Sequence, residues 1–441
     1  MKKIICTLLT ASLCTASLAG AGCMTVFAQE NEGEKTVVTF QTWNPADSGE
    51  GSPIYQIIDA FEEENPDIEI NYVYVGSGSH LDQLRVGLMG GEGPDVYGMS
   101  AGSAYSEFRD FEEDLTSYCQ ESWGENWEDK FLDFCMDIVK DEDGAVYGVP
   151  LGLTYAGYAW ADTNMLADYG LSVPTSYAEL KEAAKTLREQ NQFPMAIGAK
   201  DTWLNLDCWM SMAADIDAEA LYAAINGEKS FTDPALLESF TLWQELFSNG
   251  VFQDGAVGMT LYNDVNDMFQ REGSIPMFMN GSWAMNMYTL SDEETRSNFN
   301  GENSDHDIFL IDWNDDGSVC PVTASVDVIL CMNPESEVKE AAFKWIDYLV
   351  NEGQDLLVNG YLEYMPSRAD MELNVSGLSE DGQKNLEYII QNGTDNVAGI
   401  RGIENAELST VICDMLTALA INEVTPEDAA AQIQAVSESI R

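Results

Sequence analysis

The chain holds 441 residues, 45% of them apolar, which is enough for a large core and for two domains or a little more. Twenty basic residues stand against 76 acidic ones, a formal charge of −56 that excludes nucleic acid as a partner through phosphate repulsion. The acidic residues are spread along the chain, as on a solvated surface, rather than gathered in a tail.

Residues 1–28 read as a secretion signal: Lys2 and Lys3 give a basic start, Ile4 to Ala21 is apolar, and small residues follow. Gly20-Ala21-Gly22-Cys23 has the outline of a lipoprotein cleavage box, with Gly20 where that box expects Leu, and it would make Cys23 a lipid anchor. Val26-Phe27-Ala28 before Gln29 suits ordinary secretion, so both cuts stay open. No later run is long enough to cross a bilayer, and the expectation is an exported protein, free or anchored on the outer face of the membrane.

Thr36 to Trp43 alternates as a strand, with a loop at Asn44, Pro45, Asp47 and Ser48. Pro53 to Glu64 is a helix that buries Ile54, Ile57, Ile58 and Phe61, ended by Asn65-Pro66. Ile68, Ile70, Tyr72 and Tyr74 alternate in a second strand, Gly76 to Ser79 reads as a loop, and His80 to Met89 as a helix. The glycines at 90, 91 and 93 break that helix, and Asp95 to Met99 begins a third strand. Strand, helix, strand, helix, strand predicts a parallel α/β sheet whose ligands sit beyond the strands' carboxyl ends, at Trp43 to Asp47 and Met99 to Ser103.

Val139 to Val149 reads as a hairpin through the Asp141 to Gly144 turn, with Pro150 after it. Ser176 and Glu179 form a capping box ahead of the stripe Tyr177, Leu180, Ala184 and Leu187. Asp233-Pro234 starts a helix that Asn249-Gly250 ends, and Thr425-Pro426 starts the last one. Between them Gly273 to Tyr288 is an apolar strand, a turn at Asn280, Gly281 and Ser282, then Trp283 opening a helical run. A small-residue turn beside an indole lets backbone N–H groups approach a ligand while the ring offers a flat apolar face, the two things a pyranose requires.

Three of the nine cysteines, Cys6, Cys14 and Cys23, fall in the leader; the other six match no zinc spacing and are expected as mostly free buried thiols. His80 and His306 are too few for a histidine metal site, and no metal or cofactor is expected. Asp312 to Gly317 matches the first half of a calcium loop, yet its twelfth position is Thr323, so an Asx turn is the expected form.

FEEENPDIEINYVYV, LRVGLMGGEGPDVYGM, YGVPLGLTYAGYAWADTNML, VPTSYAELKEAAKTLREQ, MFMNGSWAM and TPEDAAAQIQ, in this order, resemble the extracellular solute-binding proteins of carbohydrate ABC importers, the family of maltose-binding protein. The resemblance spans nearly the whole chain after the leader. It implies a two-lobed periplasmic-binding-protein-like fold of the class II type, each lobe a mixed, mostly parallel α/β sheet flanked by helices, with the ligand cleft between. Lobe one would hold 29–150 and 306–360, lobe two 151–305 and 361–441, with the first crossing near Pro150. The implied role is transport without catalysis, by a monomer that captures a neutral saccharide or oligosaccharide and delivers it to a membrane permease.

Loop position nominates Trp43, Asn44, Asp47 and Ser100 from lobe one. The resemblance nominates Thr154 and Tyr155 just past the first crossing, where the family often has an acidic contact, and Trp203 as an aromatic platform. Gly281, Ser282 and Trp283 complete that face, and Glu363, Tyr364 and Arg401 join from the late loops, a surface ion pair being the plainer reading of Glu363 and Arg401. Trp123, Trp127, Trp160, Trp243 and Trp345 read as structural. Three separated indoles favour an oligosaccharide over a single ring. The rivals are a binder of polyamines or other cations, which would need carboxylates between the lobes where Thr154 and Ser282 stand, and a secreted glycosidase.

Overall fold

The computed structural model describes residues 35–43, 52–141, 143–289, 299, 305–374 and 378–441. The leader, Cys23, Asn44 and Asp47 therefore lie outside the described residues. A large sheet is built from strands β1 (Thr36–Thr42), β2 (Ile68–Tyr74), β3 (Val96–Met99), β4 (Gly148–Ala156) and, from later in the chain, Val322–Met332 and two short strands. A smaller sheet joins β5 (Ala159–Asp162), β6 (Met277–Met279) and β7 (His306–Phe309).

The first part of the chain forms as its pattern predicts. β1 pairs in parallel with β2 and with β3. The Pro53–Glu64 helix buries Ile54, Ile57, Ile58 and Phe61 on one side, the face its spacing marked. The following helix starts at Ser77, one turn earlier than expected, because Gly76 stands at its N-cap and Ser79 N–H already bonds Gly76 O. Gly76 to Ser79 is thus largely helical rather than a loop.

The strand Val322–Met332, β8, organises the large sheet. It is apolar along most of its length, as a strand buried on both faces must be. β4 runs antiparallel along one edge of it. On the opposite edge two strands share its length: β3 takes Ile329 to Met332, running antiparallel, and β10 (Val397–Ile400) takes Val322 to Ala324, running parallel. The short β9 (Met365–Pro366) closes the far side of β4. Opposite directions make the carboxyl ends of β3 and β10 point at each other across a gap beside Ser325 to Val328. Ser103 N–H bonds Ile403 O over that gap, tying the two outgoing loops together.

Sheet membership shifts two expected positions. Pro150 lies inside β4 opposite Ile329, and the chain leaves for the small sheet at Gly157, whose φ of 105° brings its Cα against Ser211. His306–Phe309, expected in lobe one, pairs with β5 in the small sheet, where Asp162 lies opposite His306. The named strands of the small sheet are antiparallel, and isolated parallel bridges from Ala196 to Phe278 and from Met195 to Phe252 extend it. The expected hairpin at 139–149 is reduced to one bridge, Lys140 to Val146, since Val139 ends a helix.

Helices Thr202–Ile225, Pro234–Ser248, Ala406–Ala420 and Pro426–Ser439 pack against one another, and Thr202–Ile225 also meets β4, β8 and β10 of the large sheet. Ser176 caps the Tyr177–Glu189 helix by accepting from Glu179 N–H, while the Glu179 carboxylate reaches back to Thr175. Trp243, Trp345 and Trp160 are fully buried, as read from the sequence. Trp243 donates Nε1–H to Leu416 O at 2.9 Å, and Trp345 lies edge-on to Phe61 at 5.0 Å. The thiols of Cys119, Cys135, Cys208, Cys320, Cys331 and Cys413 are free, and all but Cys413 are buried.

Candidate functional site

The gap between β3 and β10 opens into a cavity of about 260 Å³. Its floor is Ser325, Val326 and Asp327 of β8, and its near walls are Ser100, Ala101 and Ser103 after β3 with Arg401, Gly402 and Ile403 after β10. Trp43, from the end of β1, stands at one side with His80 and Leu81. Trp203, Leu206 and Asp207 of the Thr202–Ile225 helix, with Tyr262, Trp283 and Asn286, form the other. Glu363 also reaches it. The carboxyl ends of strands supply the site, as a parallel α/β sheet predicts.

Arg401 sits at the centre. Its Nε donates to Asp207 Oδ1 at 2.9 Å, and its Nη1 donates to Thr154 Oγ1 at 2.7 Å and Asp327 Oδ1 at 3.3 Å. Its guanidinium carbon lies 4.8 Å from the centroid of Trp283 and 6.0 Å from that of Trp203. The plainer expectation, a surface ion pair of Arg401 with Glu363, does not hold: the partners of Arg401 are Asp207 and Asp327, and its side chain is 15% exposed. Burial pulls the guanidinium pKa down, but the adjacent Asp207 and Asp327 outweigh burial and hold it above its ordinary value. Burial likewise pushes the Asp207 carboxyl up, against the pull of Arg401.

Two buried polar atoms in this wall have no hydrogen-bond partner, Asp207 Oδ2 and Trp283 Nε1. An ionised acceptor and an indole donor left unpaired beside a cavity are costly unless a ligand completes them.

The aromatic residues form two groups rather than three separate platforms. Trp203 and Trp283 are neighbours, centroids 5.9 Å apart, and Tyr262 stacks on Trp203 at 6.3 Å and 30°. Trp43 lies across the cavity, edge-on to His80 at 4.8 Å. His80 Nε2 lies 2.8 Å from Gly98 O, and since a carbonyl only accepts, Nε2 carries the proton and Nδ1 accepts from the Gln41 amide at 3.5 Å. Burial draws the His80 pKa down, so the ring is neutral where it braces Trp43.

Of the thirteen candidates, Trp43, Ser100, Trp203, Trp283, Glu363 and Arg401 line the cavity. Thr154, Tyr155, Gly281, Ser282 and Tyr364 stand behind the wall. Thr154 is fully buried and orients Arg401. Ser282 Oγ accepts from Tyr155 N–H at 2.9 Å, and the Tyr155 hydroxyl lies against Gly393, its pKa pushed up to about 12 by burial. Gly281 is required by close approach, because a Cβ there would fall 2.0 Å from the Trp283 ring. Tyr364 packs against Gly152, where a Cβ would meet its ring at 2.4 Å.

Asp207, Asp327, Tyr262, Asn286 and His80 were not nominated from the sequence. Asp207 follows Trp203 at i+4, so both side chains leave the same helix face, and Asp327 is a lone charge inside an apolar strand; each carried a readable signal. Tyr262 had none, since it lies on a π-helical segment, Leu261–Val265, started by Asp201 and Asp264 carboxylates that accept from Leu261 and Thr260 N–H. The cavity therefore holds carboxylates at places other than the Thr154 and Ser282 positions considered for a cation binder.

Two acidic groupings elsewhere have local partners. In the Asp312 turn, Asp312 accepts from Asp316 and Gly317 N–H, and Asp316 accepts from Ser318 N–H, an Asx network as expected. Asp305, Asp307 and Asp381 approach within 4.8 Å of one another, with Asp307 paired to Lys384 and Asp381 bonded to the Tyr288 hydroxyl and His306 N–H.

A family model described as bacterial extracellular solute-binding protein matches residues 45–355. The Escherichia coli (strain K12) protein YcjN, named as an ABC transporter periplasmic-binding protein, is 24% identical over 228 residues, 51% of this chain. The chain spans about half, 50%, of the length of that curated relative. Among solved structures, a protein from work on xylan utilization by Caldanaerobius polysaccharolyticus superposes with a TM-score of 0.77 at 20% identity, over 90% of this chain and 99% of that one. Maltose-bound MalE3 of T. maritima gives 0.73 at 19% identity, over 92% and 100%. A Listeria monocytogenes ABC substrate-binding protein in complex with cycloalternan gives 0.72 at 17%, over 92% and 99%. At these identities the likeness shows a shared fold.

Proposed function

The chain belongs to the bacterial extracellular solute-binding proteins, and from that premise we propose that it captures a saccharide in the cavity around Arg401 and hands it to the permease of an ABC importer. The observation that carries this reading is the pairing of Trp203, Trp283 and Tyr262 with two unsatisfied buried atoms, Asp207 Oδ2 and Trp283 Nε1, in one cavity. A pyranose fits both needs: its C–H face stacks on an indole or phenol ring, and one hydroxyl can donate to a carboxylate while accepting from an N–H. The neutral oligosaccharide expected from the sequence and an aminated one both meet this requirement. The solved neighbours that carry maltose and cycloalternan support the saccharide class.

In this reading the large sheet is the core of one lobe and the small sheet with its helices the core of the other, the chain crossing at Gly157. Asp207, Trp203 and Trp283 then belong to one lobe and Asp327, Ser100 and Trp43 to the other, so that closure brings the two walls together on the ligand. The role is binding and delivery without bond cleavage. Export follows from the leader, with either an anchor at Cys23 or a free amino terminus after Ala28, and an anchor would raise the concentration near the permease. Among the described residues no helix is long and apolar enough to cross a membrane.

A thermal-shift screen over mono- and oligosaccharides tests the proposal, because a ligand that binds only the folded state raises the midpoint. A rise with at least one saccharide, absent in Trp203→Ala, is expected. Cleavage products after incubation with oligosaccharides would instead identify a hydrolase.

A further inference from the structure

The cavity is small for an oligosaccharide. Its volume is about 260 Å³, below the roughly 300–1,000 Å³ of pockets that enclose drug-sized ligands. A hexopyranose with its hydroxyls fills roughly 200 Å³ at the packing density of an organic crystal, and a second ring roughly doubles that. One ring fits and two do not. The indoles no longer argue for length either, because Trp203 and Trp283, with centroids 5.9 Å apart, make one platform.

Burial is graded along the lining. Among the described lining residues only Ser100 and Tyr262 are exposed. Ser100 follows β3, and Tyr262, 37% exposed, stacks on Trp203 in the facing wall, so the mouth lies between the two walls. Asp207, Glu363 and Trp283, at 4%, 6% and 9% exposure, form the buried end. The loops after β3 and β10 are joined twice: Ser103 N–H donates to Ile403 O and the Ser106 hydroxyl donates to Glu404 O, both at 3.0 Å. A glycan chain has no way out between them.

The unmet polar atoms fall at that same buried end. Asp207 Oδ2 and Trp283 Nε1 lack partners, so a ligand must pass the mouth to complete them. A unit in the middle of a glycan carries a glycosidic bond on two sides and needs two openings. A terminal unit needs one.

We propose that the cavity receives a single sugar ring, either a free monosaccharide or the terminal unit of a chain whose other units remain outside, past Ser100 and Tyr262. The inference rests on the saccharide reading above and fixes how much of the sugar is held.

The test is titration calorimetry with the monomer, dimer, trimer and hexamer of α-1,4-glucan, β-1,4-xylan and chitin series, and with cyclomaltohexaose, which has no terminal unit. In the series that binds, the monomer is expected to bind within about threefold of the trimer and hexamer, since added units find no enclosing surface. An extended groove instead gains about tenfold with each further ring that it stacks. Cyclomaltohexaose should give no heat of binding. Trp283→Phe keeps an aromatic ring and removes the Nε1 donor, so it should weaken every length in that series by the same factor, about fivefold. A rise of tenfold or more from monomer to trimer, a loss in Trp283→Phe confined to the longer sugars, or binding of cyclomaltohexaose overturns the single-ring inference and leaves the saccharide reading standing. If no series binds, both fall. The comparison of lengths on the unaltered protein decides the matter even should the variant fail to fold.

Discussion

Arg401 and Arg109 are set among the same kinds of neighbour, yet only the first opens on the cavity. Arg109 lies 4.7 Å from the Tyr105 ring and 4.3 Å from the Tyr147 ring, with Glu112 as its carboxylate at 3.6 Å. Arg401 lies over Trp283 and has two carboxylates, Asp207 and Asp327. In the Arg109 cluster, burial pushes the Glu112 carboxyl up to about 8, so that it holds its proton near neutrality, and Cys331 adds an S–H donor at 3.7 Å. The Arg109 cluster can discharge itself by protonation and close on its own packing. The Arg401 cluster keeps an ion network and an unfilled acceptor, and those leftover needs, more than the presence of charge or aromatic rings, mark a binding site.

Removing each arginine is the most severe way to break that comparison. Arg401→Ala leaves Asp207 and Asp327 facing each other without a cation and should cost about 3 kcal/mol or more in a urea melt at neutral pH, with saccharide binding lost. Arg109→Ala leaves a carboxyl already able to stay neutral and should cost roughly 1–2 kcal/mol, mainly packing and cation–π contact. Equal losses in the two variants would show that the ion network is not the distinguishing feature.

Aromatic truncation sharpens the same contrast on the binding side. Trp203→Ala should weaken saccharide affinity by about 2 kcal/mol, since a centrally placed indole in a desolvated pocket carries an outsized share of binding energy. Tyr147→Ala, in the Arg109 cluster, should lower stability and leave the dissociation constant within about twofold. Calorimetry on both variants gives the answer, and a comparable affinity loss in Tyr147→Ala would sink the assignment.

Much of this was legible in the sequence because local rules governed it. The Pro53–Glu64 helix, the alternation in β1 and β2 and the caps at Ser176, Asp233 and Thr425 each follow from a few neighbouring residues, and each formed. Trp43 and Ser100 reach the cavity from strand ends and Trp283 from a small-residue turn, features legible locally, whereas Trp203 is reached only through the family resemblance and Glu363 and Arg401 only through their place in the late loops. The rest depended on pairings between distant parts of the chain. That β3 and β10 meet end to end along β8 joins residues 99 and 400 through strand 322–332, and no local pattern encodes it. The same holds for the contact of Trp203 with Trp283, which turned two expected platforms into one, and for Thr154, which supports Arg401 from behind rather than touching the cavity.

The last expected effect concerns the closed cluster and its dependence on pH. Glu112 titrates near 4.5 in an unfolded chain and near 8 in the folded one, where burial is the main cause and the Arg109 charge opposes it. Between those values the folded protein holds a proton that the unfolded chain has released. The unfolded state then binds fewer protons, and stability falls as pH rises through this window, by up to about 1.4 kcal/mol per unit for this one group, and levels off above the folded value. Glu112→Gln cannot titrate and retains the shape of the side chain, so its urea midpoint should decline less than that of the unaltered protein between pH 6 and 7.5. Parallel profiles would mean that the carboxyl is already ionised in the folded state. Arg109 and Glu112 would then form a true ion pair, and the contrast with Arg401 would rest on the cavity and the number of carboxylates alone.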